Sequence, residues 1–267
     1  MAGRPDLGPV QETMLITLHA RALTGDPDAA RLVGELDYDF AAFAAHGRLT
    51  TVFHVLRSTV FDRWTAAFLA EHPQGTVVEL GAGLSTRDRR LDNGTATWVF
   101  VDLPDAAALR ARLLPDGDRR HTVTGSVTGD AWAGAVAART PGVPGPCLFL
   151  AEGVLVYLTP GEARRAVTVV GERFPGARLA LDTYGTWVVR RRGGRSGPLG
   201  ATAAALSWAC DDPRELEQWG AGLRLAETTR LTAVRGTGLP AATRAALRVL
   251  DAAVPRRMTN TSVSLYV

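Results

Sequence analysis

Apolar positions along the chain follow two different spacings. Through residues 11–72 they recur with a helical period. Met14, Leu15, Leu18 and Ala22 follow Thr13, a candidate cap, and Phe53, Leu56, Val60, Trp64 and Ala67 share one face of a longer helix. The other face of that helix carries His54, Arg57, Ser58 and Asp62, which reads as a solvated face; Arg57, and Arg21 upstream, stand apart as cations able to reach a ligand. His72-Pro73-Gln74-Gly75 is a turn, and beyond it the spacing changes. Short β-branched or apolar runs at 76–80, 98–101, 120–124, 147–151 and 177–182 alternate with segments of helical pattern. Cys147–Ala151 is apolar throughout, as expected of a central parallel strand buried on both faces. Pro104 opens a helix at about Asp105, and Thr159-Pro160-Gly161-Glu162 is a capping box for a helix that ends at Phe174-Pro175-Gly176. From Thr183 to about Gly222 the pattern is irregular and includes Arg190–Arg195, a run that reads as a mobile solvated loop. Residues 223–231 form a sixth predicted strand, 241–253 a helix and 262–267 an alternating terminal strand. Strands alternating with helices predict an α/β fold: a helical cap over residues 1–74, a core over 75–267, and a lid-like insertion at 183–222 after the fifth strand.

Composition narrows the chemistry. The 267 residues suffice for a full core, and at 46% hydrophobic content no apolar run is long enough to span a bilayer. Met1–Gln11 lacks the basic-then-apolar pattern of a secretory signal, so a soluble, cytoplasmic protein without a membrane partner is expected. All 30 basic residues are arginine. The absence of lysine excludes Schiff-base chemistry, ordinary pyridoxal phosphate catalysis and a P-loop. A net charge of only +3 argues against nucleic acid as a partner. Cys147 and Cys210 lie far apart without metal-ligand spacing and read as reduced thiols, so neither a zinc site nor a disulfide framework is expected.

One stretch organises the rest. Thr76–Leu80 runs as a strand into Gly81-Ala82-Gly83, and the chain then enters a predicted helix at Ser85. Glycines let the backbone approach a ligand, and a helix start offers unpaired N–H groups, which together make a nucleotide-cofactor cradle. A dinucleotide fold needs Gly or Ala at the third signature position for close helix packing; Thr86 stands there and argues against NAD or FAD. The next strand ends in Asp102, placed to grip ribose hydroxyls, with Leu103 beside it. Glu79 before the glycines and Asp102 after the second strand point to S-adenosylmethionine. Glu152 closes the fourth strand at the crevice where open α/β sheets bind ligands, or alternatively braces a loop.

These residues carry a resemblance. Val77–Arg87, Val101-Asp102-Leu103-Pro104, Glu152-Gly153-Val154-Leu155-Val156-Tyr157-Leu158, Phe174–Ala177 and the 208–216 region are similar to the leucine carboxyl methyltransferase family, on the branch of tetracenomycin-type polyketide O-methyltransferases. The resemblance implies a Rossmann-like class I methyltransferase with a seven-stranded, mostly parallel sheet and helices on both faces. It implies that Gly81 and Gly83 pack on the methionine part of S-adenosylmethionine, that Asp102 takes the ribose, and that Ser126 and Val127 flank the adenine. Glu152 would lie beside the cofactor, and Arg57 and Arg21 would hold its carboxylate. Where the leucine carboxyl enzymes have Asp-Leu, this chain has Ser126-Val127. The product would be S-adenosylhomocysteine.

A carboxylate acceptor is already ionised near neutrality and needs only positioning, whereas a phenol of pKa about 10 benefits from a base. His19, His46, His54, His72 and His121 are scattered and read as structural or exposed, which favours a small-molecule carboxylate acceptor. Tyr157 and Tyr184, near the ends of strands four and five, are candidate pocket residues. N- or C-methylation, another use of the same cofactor, and a non-catalytic cofactor-binding regulator remain as alternatives.

Overall fold

A computed structural model describes residues 4–140, 145–192, 204–235 and 239–267. Its centre is a seven-stranded sheet of β1 (Thr76–Leu80), β2 (Thr97–Asp102), β3 (Arg120–Thr124), β4 (Cys147–Ala151), β5 (Arg178–Tyr184), β6 (Leu225–Arg230) and β7 (Thr261–Tyr266). The order is β3-β2-β1-β4-β5-β7-β6. All neighbours pair in parallel except β7, which runs antiparallel to both β5 and β6. The direction of winding reverses between β1 and β4, where a doubly wound sheet opens a crevice at the carboxyl ends of its strands.

Alternation along β4 shows how the two faces are covered. Cys147, Phe149 and Ala151 join Trp132 of α6 (Ala131–Ala137) and Val167 and Val170 of α7 (Pro160–Arg173) on one side. Leu148 and Leu150 join Leu56, Val60, Phe61 and Trp64 of α3 (Gly47–Glu71) on the other. A third cluster ties α1 (Thr13–Leu23) and α2 (Pro27–Glu35) to Leu84 and to Leu109 and Leu113 of α5 (Pro104–Leu113). The glycine turn therefore lies between the sheet and the N-terminal helices. The capping box at Thr159 and Glu162 forms, with both reciprocal hydrogen bonds.

Several local expectations need correction. Thr13 is the first helical residue and its hydroxyl donates to the Val10 carbonyl, so it caps nothing. The supposedly solvated face of α3 is not solvated: Arg57 and Ser58 are buried, and Asp62 pairs with Arg87 and Arg90. Ala67, placed on the apolar face, is exposed. The helix after the glycines, α4 (Arg87–Leu91), starts two residues beyond Ser85 and is a single short turn and a half. Arg190–Arg192 close a helix, α8 (Thr186–Arg192), where a loop was expected, and Gly193–Arg195 lie outside the described residues. The helix α9 (Ala241–Ala253) forms as expected.

Candidate active site

The carboxyl ends of β1, β2, β4 and β5 and the inner faces of α1 and α3 enclose a cavity of about 240 Å³. The two loop glycines shape its floor. Gly81 and Gly83 adopt left-handed backbone, with φ of 61° and 49°. A Cβ on Gly81 would stand 2.6 Å from a Val154 methyl, and one on Gly83 would stand 2.9 Å from Met14 Cβ, so both positions require glycine for space as well as conformation. The amides of Gly81 and Ala82 donate to the Val101 carbonyl at 2.8 and 3.2 Å, which docks the turn on β2.

Three carboxylates line the cavity, and each already holds chain donors. Asp102 accepts from the Gly83 amide at 2.6 Å and the Leu103 amide at 2.8 Å. Burial raises its pKa, with those two amides opposing. Glu79 accepts from Arg87 Nη1 at 2.8 Å and from the Ser85 hydroxyl at 3.0 Å, and burial raises it too. Glu152 accepts from Arg57 Nε at 3.1 Å and Arg87 Nη2 at 2.5 Å. Burial would raise Glu152, but the two guanidiniums outweigh it and hold its pKa at about 2. Glu152 thus lines the cavity and also braces it through Arg57 and Arg87.

The two cap cations differ. Arg57 sends Nη1 to Asp182 and to the Tyr184 hydroxyl, each at 2.9 Å, besides its bond to Glu152. Its charge is neutralised by this network. Arg21 is buried, donates through Nη2 to the Leu84 carbonyl at 2.8 Å, and leaves Nε without a hydrogen-bond partner among the described residues. Burial pulls its pKa down to about 10 despite the field of Glu152. A buried guanidinium on a cavity wall with an orphaned N–H is a fitting seat for a ligand carboxylate.

The remaining expected residues come to the same cavity. Leu103, Ser126, Val127, Tyr157 and Tyr184 all line it. Ser126 and Val127 follow β3, and the Ser126 hydroxyl bonds that of Thr128 at 2.8 Å. Tyr157 sits on a 3-10 turn (Leu155–Tyr157), and burial raises its phenol. Thr50 and His54 of α3, Thr17 of α1 and Leu206 also face the cavity and had no expected role. A signal existed for the first two: His54 is three residues before Arg57 and four after Thr50, so all three share a helix face. Asp182, the buried partner of Arg57, was missed as well, although it ends the apolar run expected as the fifth strand; in the structure β5 continues two residues further, to Tyr184. Among the described residues no cluster of His, Cys, Asp and Glu could hold a metal ion, and no helix is long and apolar enough to cross a membrane.

Comparison with known proteins agrees with this geometry. The family profile of leucine carboxyl methyltransferases matches residues 15–171. The chain is 34% identical over 232 residues to the tetracenomycin polyketide synthesis O-methyltransferase TcmP of Streptomyces glaucescens, covering 82% of each protein. It is 27% identical to the S-adenosyl-L-methionine-dependent methyltransferase dpfgK of Gibberella zeae, covering 84% of this chain and 83% of the other. Among solved structures, a DUF574 family protein from Streptomyces avermitilis superposes with a TM-score of 0.61 over 94% of this chain and 95% of its own, at 16% identity.

Proposed function

The chain belongs to the leucine carboxyl methyltransferase family and is an S-adenosylmethionine-dependent methyltransferase, and we propose that it methylates an oxygen of a small natural product, namely a carboxylate. The polyketide role of the relative from Streptomyces glaucescens supports an acceptor of that type. In this reading Arg21 holds the cofactor's carboxylate, Gly81 and Gly83 lie against its methionine part, Asp102 takes the ribose, and Ser126 and Val127 flank the adenine. When bound, the cofactor supplies an electrophilic methyl group on a sulfonium. Arg57 and Arg87 fix Glu152 at the cavity edge, and Glu79 fixes Arg87. The N-terminal helices, as a cap over 1–74, and the insertion at 183–222 would surround the acceptor and exclude water. A cytoplasmic enzyme needing neither metal nor nucleic acid completes the proposal, since in-line transfer to an ionised oxygen requires no Lewis acid.

The observation that carries the carboxylate is the engagement of every cavity carboxylate by chain donors. None stands ready as a base, so the acceptor should arrive ionised. A second reading rests on His54, whose place in the cavity wall would suit a phenol needing deprotonation. A panel of aromatic carboxylic acids and matched phenols, incubated with labelled S-adenosylmethionine, separates the two. The expected product is an ester that mild alkali cleaves. Single-turnover rates should be nearly flat from roughly pH 6 to 9, because an acceptor of pKa about 4 stays ionised. An alkali-stable methyl product from the preferred acceptor would exclude the carboxylate. Loss of that activity in His54→Ala would then support the second reading.

A further inference from the structure

Arg110 of α5 is not part of the cavity wall, yet it reaches the loop that forms the floor. Its guanidinium is 2% exposed and stands 3.4 Å from the centre of the Phe100 ring. Nη1 donates to the Gly83 carbonyl at 3.1 Å and to the Ser85 carbonyl at 2.8 Å. The carbonyl between them, that of Leu84, accepts from Arg21 at 2.8 Å. Two buried cations from two different helices therefore grip three consecutive carbonyls, while Asp102 takes the Gly83 amide. Among the described residues neither cation has a carboxylate at hydrogen-bond distance; the Asp88 oxygen lies 3.9 Å from Arg110. Burying a cation is expensive, and an apolar residue would have packed the underside of a loop that only had to be filled. What a guanidinium adds is direction. In a trans peptide the N–H lies opposite the C=O, so carbonyls turned toward the arginines turn the amides of Leu84, Ser85 and Thr86 the other way.

We propose that Arg110 is a positioning residue for the cofactor: it sets the peptide orientations of Gly83–Ser85, jointly with Arg21. The inference rests on the reading that this loop receives S-adenosylmethionine. In that reading it also couples two parts of the site, because Arg21 holds the Leu84 carbonyl with one nitrogen and would hold a ligand carboxylate with another. Arg110 then acts on cofactor affinity without touching the cofactor.

Arg110→Lys keeps the charge but shortens the side chain and removes the planar group held over Phe100, so the ammonium falls short of the place Nη1 occupies between the two carbonyls. The measurements are calorimetric affinity for S-adenosylhomocysteine, the KM for S-adenosylmethionine, the KM for the acceptor, and kcat. Affinity and cofactor KM are expected to weaken about tenfold or more, the effect of losing one charge-assisted hydrogen bond, with kcat and acceptor KM within about twofold. Phe100→Leu, which withdraws the ring beneath the guanidinium, should shift affinity the same way by a smaller factor and guards against a misfolded first variant. Arg119→Met, whose arginine pairs with Asp92 away from the loop, should leave affinity unchanged. Folded variants with lower melting temperatures but wild-type affinity would overturn the proposal and leave Arg110 a structural residue. If the wild-type chain itself fails to bind S-adenosylhomocysteine, the reading of the cavity falls, and this inference with it.

Discussion

At the scale of single residues, the cavity separates two arginines that look equivalent along the chain. Arg57 meets Glu152, Asp182 and Tyr184, and this surplus of anionic and acceptor partners raises its pKa against the effect of burial. Among the described residues Arg21 has one carbonyl and an orphaned Nε, and burial dominates. The unpaired cation is the one that gains from a ligand anion, because a ligand carboxylate would replace the solvation it has lost. Arg21→Gln should therefore weaken binding of S-adenosylhomocysteine by about ten- to a hundredfold, the range for a charge-assisted hydrogen bond of roughly 1.5–3 kcal/mol. Binding of 5′-methylthioadenosine, which lacks the amino-acid end, should change by less than about twofold on the same scale. Calorimetry with both ligands checks this; equal losses for the two would show that Arg21 acts on the loop alone.

At the scale of elements, close approach of backbones decides what a helix tolerates. A Cβ on Gly171 of α7 would stand 1.9 Å from the Ala221 carbonyl oxygen, a backbone atom and not the far end of a flexible side chain. Gly161, in the first turn of the same helix, has nothing within 4 Å of the same position. Gly171→Ala is expected to cost about 3 kcal/mol or more by overpacking, a fall in Tm of roughly 6–12 °C. Gly161→Ala should instead gain about 0.4–1 kcal/mol by restricting the unfolded chain. Thermal melts of the pair test the contact. No periodicity announces Gly171, because the atom it avoids is fifty residues away. The strands were legible for the opposite reason: 120–124 and 147–151 are bounded by turns and carry their own signal, and the structure places β3 and β4 at those residues. Asp26-Pro27 is a sound start signal, with the Asp26 side chain accepting from the Ala29 amide, but α2 has too short an apolar stripe to stand out. The polar face of α3 misled in a specific way. Polar residues on one side of a helix ordinarily face water, and here they face a cavity and its buried ion pairs. The twelve residues singled out along the chain all line that cavity, whereas Thr50 and His54 were passed over because their face had been assigned to solvent.

Across the whole molecule, one carboxylate joins parts that are far apart in the chain. Glu152 at the end of β4 is bonded to Arg57 on α3 and to Arg87 beyond the glycine loop, and Arg87 is bonded in turn to Glu79 on β1 and Asp62 on α3. The helix α3 and the sheet are thus linked through buried ion pairs as well as through the apolar contacts of Leu56, Val60 and Trp64. Glu152→Gln takes one anion from two buried guanidiniums that keep others, Asp182 on Arg57 and Glu79 and Asp62 on Arg87, so its cost should fall below the roughly 3–5 kcal/mol of a buried charge left wholly unpaired. A loss of about 1–3 kcal/mol at pH 7 is expected. The pH dependence follows from the direction of the shift. Glu152 has a pKa of about 2 in the folded chain against 4.5 for a free glutamate. Below 4.5 the unfolded chain binds the proton and the folded chain does not, so stability is lost as pH falls from 4.5 toward 2. Glu79 and Asp182 are raised by burial and contribute in the opposite sense, favouring the folded state as they protonate. Both remain in the variant, but the charge of Glu152 helps to raise them, so the difference between wild type and Glu152→Gln reports Glu152 together with their response to its loss. That difference should hold between about pH 8 and 6, and more than half of its ionic part should be gone by about pH 3. Urea unfolding of the two proteins across this range measures it. A difference that stays constant down to pH 3 would mean that Glu152 carries a proton in the folded chain.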